Sequence, residues 1–189
     1  MIILALDPSV TQCGVAVIEH HRGKPDRVEC SSFTSAGANA DEKCGAFGTT
    51  LRDIIDATGP HYLVYESAMR FIAGYKKAEK PDLAGGTGGF WTPNSDQMLL
   101  PEIQGHIRQA AIHYGIPHEG VPVRTWRAAL FGSGAGNWPR DKAKQAARDY
   151  CKAFGVDFSN HNEAEAYCIG QWAIRCSQPL RLMLLGVAG

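Results

Sequence analysis

Two apolar runs in this chain each end on an acid. Ile2–Leu6 runs into Asp7 within MIILALDPSVTQCGVAVIE, and His61–Glu66 reads HYLVYE. A short apolar run bounded by turn residues marks a buried strand, so each carboxylate stands at the end of a core strand. Carboxylates are almost never buried unless they are paired or bind a metal. The alternative for Asp7 is a turn former, because Asp-Pro favours turn initiation. A third acidic group opens the last long helical stretch, SNHNEAEAYCIGQWAIR. Residues three and four apart share a helix face, so Asn162 and Glu165 face together, with His161 one turn before Glu165. Glu163 points elsewhere, and as a first-turn acid it suits the helix dipole. Ala164 and Ala166 beside Glu165 suggest close packing against a sheet.

If Asp7, Glu66 and Glu165 meet, their charges need compensation. Two like charges about 4 Å apart cost roughly 4 kcal/mol at an effective dielectric near 20. Three such pairs exceed what a marginally stable domain tolerates, so either the carboxyls hold protons or a cation sits among them. A donor set of hard oxygens points to Mg²⁺ or Mn²⁺. Carboxylates beside basic, glycine-hinged segments suggest metal-assisted phosphodiester hydrolysis, in which paired ions activate water and stabilise the leaving oxygen.

The elements that must position these groups follow from pattern. Val15–Ile18 pairs back on the first run as a β-hairpin, and Arg27–Thr34 has the content of a third strand. Asp41–Ala57 carries Phe47, Leu51, Ile54 and Ile55 along one helical face and is stopped by Thr58-Gly59-Pro60. After the strand ending at Glu66 comes an interruption, 67–94, basic at first and then Gly85-Gly86-Thr87-Gly88-Gly89. Long segments of this kind are functional loops or linkers. Its glycines lack the GK[ST] of a phosphate loop, so no nucleotide cofactor is expected. Ser95–Tyr114 reads as a helix with Pro101 in its first turns or kinking it. Val121–Val123 reads as a short strand, Arg124–Phe131 as a short helix and Gly132–Asn137 as a glycine loop. Pro139 opens a basic helix reaching Phe154. The expected architecture is a mixed α/β sheet with helices on both faces in a single domain spanning 1–189.

Composition excludes little. The 189 residues hold 19 basic and 19 acidic side chains, so net charge names no partner. Distribution says more: Arg124, Arg127, Arg140, Lys142, Lys144, Arg148 and Lys152 face only Asp141 and Asp149 between Val121 and Lys152. Arg70, Lys76, Lys77 and Lys80 follow Glu66. Such runs are either solvated faces or phosphate contacts. The six cysteines show no C-x-x-C spacing and read as reduced residues of a cytoplasmic protein without a signal peptide. Leu180–Ala188 is too short to cross a bilayer, so no membrane partner is expected.

The blocks ALDPSVTQCGVAVIE, LVYESA, VPVRTWRAALFGSGAG with KAKQAARDY, and HNEAEAYCIGQWA resemble, in order and spacing, the RuvC-type Holliday junction resolvases of the RNase H-like superfamily. The resemblance covers roughly Met1 to Ala173. The first block alone is shared with actin-like ATPases, which open with a similar hairpin but need two lobes and a second phosphate loop. The resemblance implies an RNase H-like five-stranded sheet and a homodimer that places two Mg²⁺-dependent sites on a four-way DNA junction. Each site would hold two ions and nick one strand, giving paired symmetric nicks during recombination and repair.

Position by position, the resemblance implies catalytic and metal-binding roles for Asp7, Glu66 and Glu165. Where the family has a second aspartate, or in some members a histidine, this chain has Asn162 with His161 adjacent. Asn offers a carbonyl oxygen but cannot take up a proton as a carboxylate does. The remaining ligand is therefore Asn162 or His161, or the longer Glu165 re-aims the site. Phe71 falls where related enzymes carry an aromatic that stacks on unpaired bases; otherwise it anchors a loop. Arg70, Lys76, Lys77, Arg124, Arg127, Lys142 and Lys144 are the candidate phosphate contacts. Three further readings stay open: a nuclease of the same fold acting more broadly on flaps, forks or RNA–DNA hybrids, a non-catalytic junction binder, and an actin-like ATPase.

Overall fold

The structure is a computed structural model. It describes residues 1–67, 75–76, 91–92 and 95–186, with side chains described for 1–67 and 99–186. The elements run β1 (Ile2–Asp7), β2 (Cys13–Glu19), β3 (Arg27–Phe33), α1 (Ala40–Thr58), β4 (Tyr62–Ser67), β5 (Tyr75–Lys76), β6 (Trp91–Thr92) and α2 (Ser95–His113). They continue with β7 (His118–Pro122), α3 (Val123–Phe131), a 3₁₀ turn at Ala135–Asn137, α4 (Arg140–Ala153), α5 (His161–Cys176) and α6 (Gln178–Leu184). Strands β3-β2-β1-β4-β7 form one sheet, in that order, and β5 and β6 pair separately. The β1–β2 and β2–β3 pairs are antiparallel, while β1–β4 and β4–β7 are parallel. This is the expected mixed five-stranded sheet.

Period-two alternation along the strands divides the core. Ile3, Ala5, Tyr62 and Val64 pack with Trp126, Ala147, Ala166, Ile169 and Trp172, which come from α3, α4 and α5. Leu4, Leu6, Leu63 and Tyr65 pack with Phe47, Leu51, Ile55, Ile103 and Ile107, which come from α1 and α2. The same alternation carries one step further assigns Asp7 and Glu66 to the α5 side. The parallel register that pairs Leu6 with Tyr65 makes the next residues, Asp7 and Glu66, neighbours at the carboxyl ends of adjacent strands.

α5 is buried continuously from Asn162 to Ala173, as befits a helix enclosed between the sheet and α3, α4 and α6. Two glycines allow it to lie so close. A Cβ on Gly170 would overlap Ile18 of β2, and one on Gly14 would overlap the backbone carbonyl of Asn162. Gly14 therefore lets the first turn of α5 rest directly on β2.

The differences from expectation have local causes. β7 begins three residues earlier than Val121, because His118, Glu119 and Gly120 sit on an outer strand where burial is partial and apolar alternation is lost. α6 lies in the apolar stretch for which no helix was anticipated; Ser177 caps it by accepting from Leu180 N. Most of the 67–94 interruption lies outside the described residues.

Candidate active site

Three polypeptide segments deliver the acids to one place. β1 ends on Asp7 and β4 carries Glu66, while the first turns of α5 supply Asn162 and Glu165. Asp7 is 9% exposed and Glu165 6%. Their nearness is written in their acidity. Burial pushes the Asp7 carboxyl well above the usual carboxylate range, and Glu66 and Glu165 push it further, while Arg127 and Lys144 pull it back. Glu66 is pushed up to about 7, chiefly by burial, against the hydrogen bond from Trp126 and with Glu165 adding repulsion.

Two of the acids, Glu66 and Glu165, also have a specific side-chain partner. Trp126, fully buried on α3, donates its Nε1–H to Glu66 Oε2 at 2.9 Å. Arg127, the next residue, donates through Nη2 to Glu165 Oε1 at 2.7 Å, with both side chains largely buried. Gln104 of α2 donates to the Glu66 main-chain oxygen at 3.2 Å. The amide of Asn162 donates from Nδ2 to the Gln12 carbonyl at 2.9 Å, which leaves its own Oδ1 as the available ligand atom. Lys144 Nζ lies 2.6 Å from His161 Nε2. Burial and the neighbouring Lys144 charge lower the His161 pKa, which favours the uncharged ring as acceptor from the ammonium.

The frame behind these groups is a polar cluster between β3 and α5. Asn160 caps α5 by accepting from the main-chain N–H of Asn162 and Glu163. Glu163 reaches back to accept from Ser159 N at 2.7 Å, Asn160 Nδ2 at 2.8 Å and Ser32 Oγ at 2.8 Å. Gln12 donates to the same Ser32 hydroxyl at 3.0 Å. The helix tip is thus tied to β3 and to the β1–β2 turn at once.

Comparison with solved structures places this arrangement. Thermus thermophilus RuvC bound to a Holliday junction substrate superposes with a TM-score of 0.64 at 16% identity, covering 94% of this chain and 97% of that one. A second structure of Thermus thermophilus RuvC gives 0.63 at 17% identity, covering 93% and 96%. The chain has the RuvC fold. The yeast mitochondrial Holliday junction resolvase Ydc2 is similar at a TM-score of 0.54 and 9% identity, covering 92% of this chain and 78% of that one. No protein-family model matches the sequence, and a search of curated proteins finds no match.

Within this RuvC-like frame the anticipated site residues separate into groups. Asp7, Glu66, Glu165, Asn162 and His161 all lie at the carboxyl edge of β1 and β4 or on the α5 tip above it. Of the basic candidates, Arg127 and Lys144 turn inward to the acids, whereas Arg124 and Lys142 are exposed. Lys142 Nζ lies 4.3 Å from the centre of the Trp138 ring, whose plane stacks on Phe131. Arg70, Phe71 and Lys77 lie outside the described residues, as does the side chain of Lys76. Sequence reading missed Trp126, Gln104 and the Ser32–Glu163 cluster. Trp126 carried a signal, since it adjoins Arg127 in a short helix that follows a strand.

The donor set suits a hard divalent ion, with two raised carboxylates, Glu165 and an amide oxygen, compensated among the described residues by Arg127 and Lys144. Among the described residues, no group of three or more His, Cys, Asp or Glu side chains is gathered closely enough to hold an ion. Glu66 is drawn toward Trp126 and Glu165 toward Arg127, so a fully closed ligand set needs these contacts to rearrange. Also among the described residues, no helix is long and apolar enough to cross a membrane.

Proposed function

We propose that the chain is a metal-dependent, structure-selective endonuclease that resolves four-way DNA junctions as a homodimer. The observation that carries this reading is the convergence of Asp7, Glu66 and Glu165 on one edge, where each acid raises or is raised by another. The RuvC fold supports it, since one of the similar proteins is described in complex with a Holliday junction substrate.

Asp7, Glu66, Glu165 and the Oδ1 of Asn162 would hold Mg²⁺ or Mn²⁺, with two ions per site. Bound there, the metal would supply water activation and stabilisation of the leaving oxygen. The protein's own groups do the rest. Trp126 fixes the Glu66 carboxylate in one orientation, and Gln12 does the same for the Asn162 amide. Arg127 presents a planar guanidinium suited to a phosphodiester, and its buried Nε has no partner among the described residues. Lys144 adds a second cation on the α4 side. Arg124 and Lys142, exposed beyond the site, are suited to positioning the backbone without reading sequence. Phe71 is proposed to stack on unpaired bases, worth about 1–3 kcal/mol per base.

The test is cleavage of a synthetic four-way junction with Mg²⁺, mapping nicks on all four strands. Paired symmetric nicks are expected in the wild type. Asp7→Asn should nick nothing while still shifting the junction in a gel; full cleavage by that variant would remove Asp7 from the site. Intact junctions alongside cut flaps or forks would move the reading to a broader branched-DNA nuclease. Asn162, a residue without a carboxylate in a position next to the acids, favours one other reading, a junction binder that does not cut. Retained binding with no cleavage in any divalent metal would establish it.

A further inference from the structure

Neither Asn162 nor Glu165 explains why a histidine opens α5. His161 is the first residue of that helix and lies across from Lys144 on α4. Their nitrogens approach to 2.6 Å. An ammonium has donors and no acceptor, so the imidazole must receive the proton at Nε2 and carry its own on Nδ1. That single lone pair has one use. It cannot accept from Lys144 and ligate a cation together, and the neighbouring positive charge opposes a metal there in any case.

Lys144 Nζ is held at the tip of α5, the helix that carries Asn162 and Glu165. Its charge acts on Asp7, and both Asp7 and Glu165 act on it in return. Lysine is a compact charge on a flexible four-carbon stem, and without a second contact it would sample many rotamers in the half-exposed space between α4 and α5. His161 removes that freedom at the ammonium end, its own backbone held in the capped first turn of α5. From this geometry we infer that His161 is a positioning residue that aims Lys144 at the phosphate over the carboxylate edge, and that it is not a metal ligand. The inference rests on the nuclease reading above and deepens it, because it assigns the second cation a fixed place beside the reacting group.

The experiment compares His161→Ala, His161→Gln, Lys144→Ala and the His161→Ala/Lys144→Ala double variant. Three quantities are read: single-turnover nicking rate on a four-way junction, junction affinity by gel shift, and Mn²⁺ affinity without DNA from the electron paramagnetic resonance of free Mn²⁺. Losing a group that orients a reacting one typically costs about 10–100-fold in activity. His161→Ala should slow nicking by that factor with both affinities held within about twofold. His161→Gln, whose side-chain carbonyl also accepts from an ammonium, should recover most of the rate. In the Lys144→Ala background, His161→Ala should add no further loss. A roughly tenfold weaker Mn²⁺ affinity in His161→Ala would instead make the ring a ligand, and additive losses or an unchanged rate would equally overturn the positioning role. A wild-type protein that nicks no branched DNA would sink the nuclease reading itself, and this inference with it. That outcome is recognised before any variant is compared.

Discussion

The first turns of α1 and α5 are built from the same parts and do different work. Each has an Asn cap, Asn39 or Asn160, and an acid three residues on, Glu42 or Glu163. In α1, Glu42 accepts from Ala38 N at 2.7 Å and from Asn39 Nδ2 at 2.9 Å. In α5, Glu163 makes the equivalent bonds to Ser159 N and Asn160 Nδ2. The α1 version is exposed and only starts a helix. The α5 version is buried, gains Ser32 from β3, and sits on Gly14 of β2. One capping motif thus becomes a locating device when its surroundings are dry and its neighbours are strands. The residues it locates, Asn162 and Glu165, lie within the next turn.

The strongest way to break the comparison is at the glycines. Gly14→Ala places a methyl group into the main chain of Asn162. Neither backbone can yield cheaply, so a loss of about 3 kcal/mol is expected. Gly45 lies in the exposed part of α1 with nothing within 4 Å of its missing Cβ. Gly45→Ala should therefore stabilise by about 0.5–1 kcal/mol through helix propensity. Urea midpoints of the two variants measure the contrast. A tolerated Gly14→Ala would mean that α5 does not rest on β2 as closely as described.

These glycines mark where sequence reading succeeded and where it stopped. Asp7 and Glu66 were legible because a carboxylate that ends a buried strand needs a partner or a metal, and because period-two alternation carries each acid to a definite face. The shared face of Asn162 and Glu165 followed from helical spacing alone, and so did the divergence of Glu163. What Glu163 diverges toward was not legible. Ser32 is 131 positions away in sequence and lies in an unremarkable polar stretch of β3. The inward turn of Arg127 and Lys144, against the outward turn of Arg124 and Lys142, was hidden for the same reason. Which face of a basic helix meets acids depends on tertiary placement, and a run of positive charge has the same pattern either way.

The second test cuts the α5 tie itself. Glu163→Ala leaves three donors without their acceptor in a buried place, and an expected cost of about 2 kcal/mol follows. Nicking should fall with it, since Asn162 and Glu165 lose their anchor to β3. Thermal unfolding and single-turnover rates on the same preparation check both. Stability lost with full activity would confine Glu163 to holding the helix, and the link from the tip to the site would be wrong.

The pH dependence of stability offers a smaller and more selective effect, because the acids cluster at only one of the two tips. The folded chain holds the Glu66 proton up to about 7, so it binds that proton more tightly than the unfolded chain does. Stability from this group is therefore complete below the ordinary carboxylate range and declines as pH rises through that range to about 7. Because the carboxyl is only partly buried at the sheet edge, solvent tempers the decline to the order of 1 kcal/mol. Glu66→Gln should flatten that part of the profile, and saturating Mg²⁺ should flatten it in the wild type. A slope unchanged by Glu66→Gln would place the titration elsewhere.

The smallest expected change is the one that gives the comparison its meaning. Glu42→Ala removes the same two capping bonds from α1 that Glu163→Ala removes from α5, but water replaces them at the exposed end. Exposed caps contribute little more than about 0.5–1 kcal/mol. The α1 tip also lies on the opposite side of the sheet from Asp7, so nicking rate and Mn²⁺ affinity should stay at wild-type values. Because the bonds lost are alike, any difference between the two variants beyond the Ser32 contact measures what burial and attachment to the sheet add to a cap. Equal losses of stability and activity in both would show that the motif acts only as a helix start, and that Asn162 and Glu165 are held by Gly14 and the core beneath them.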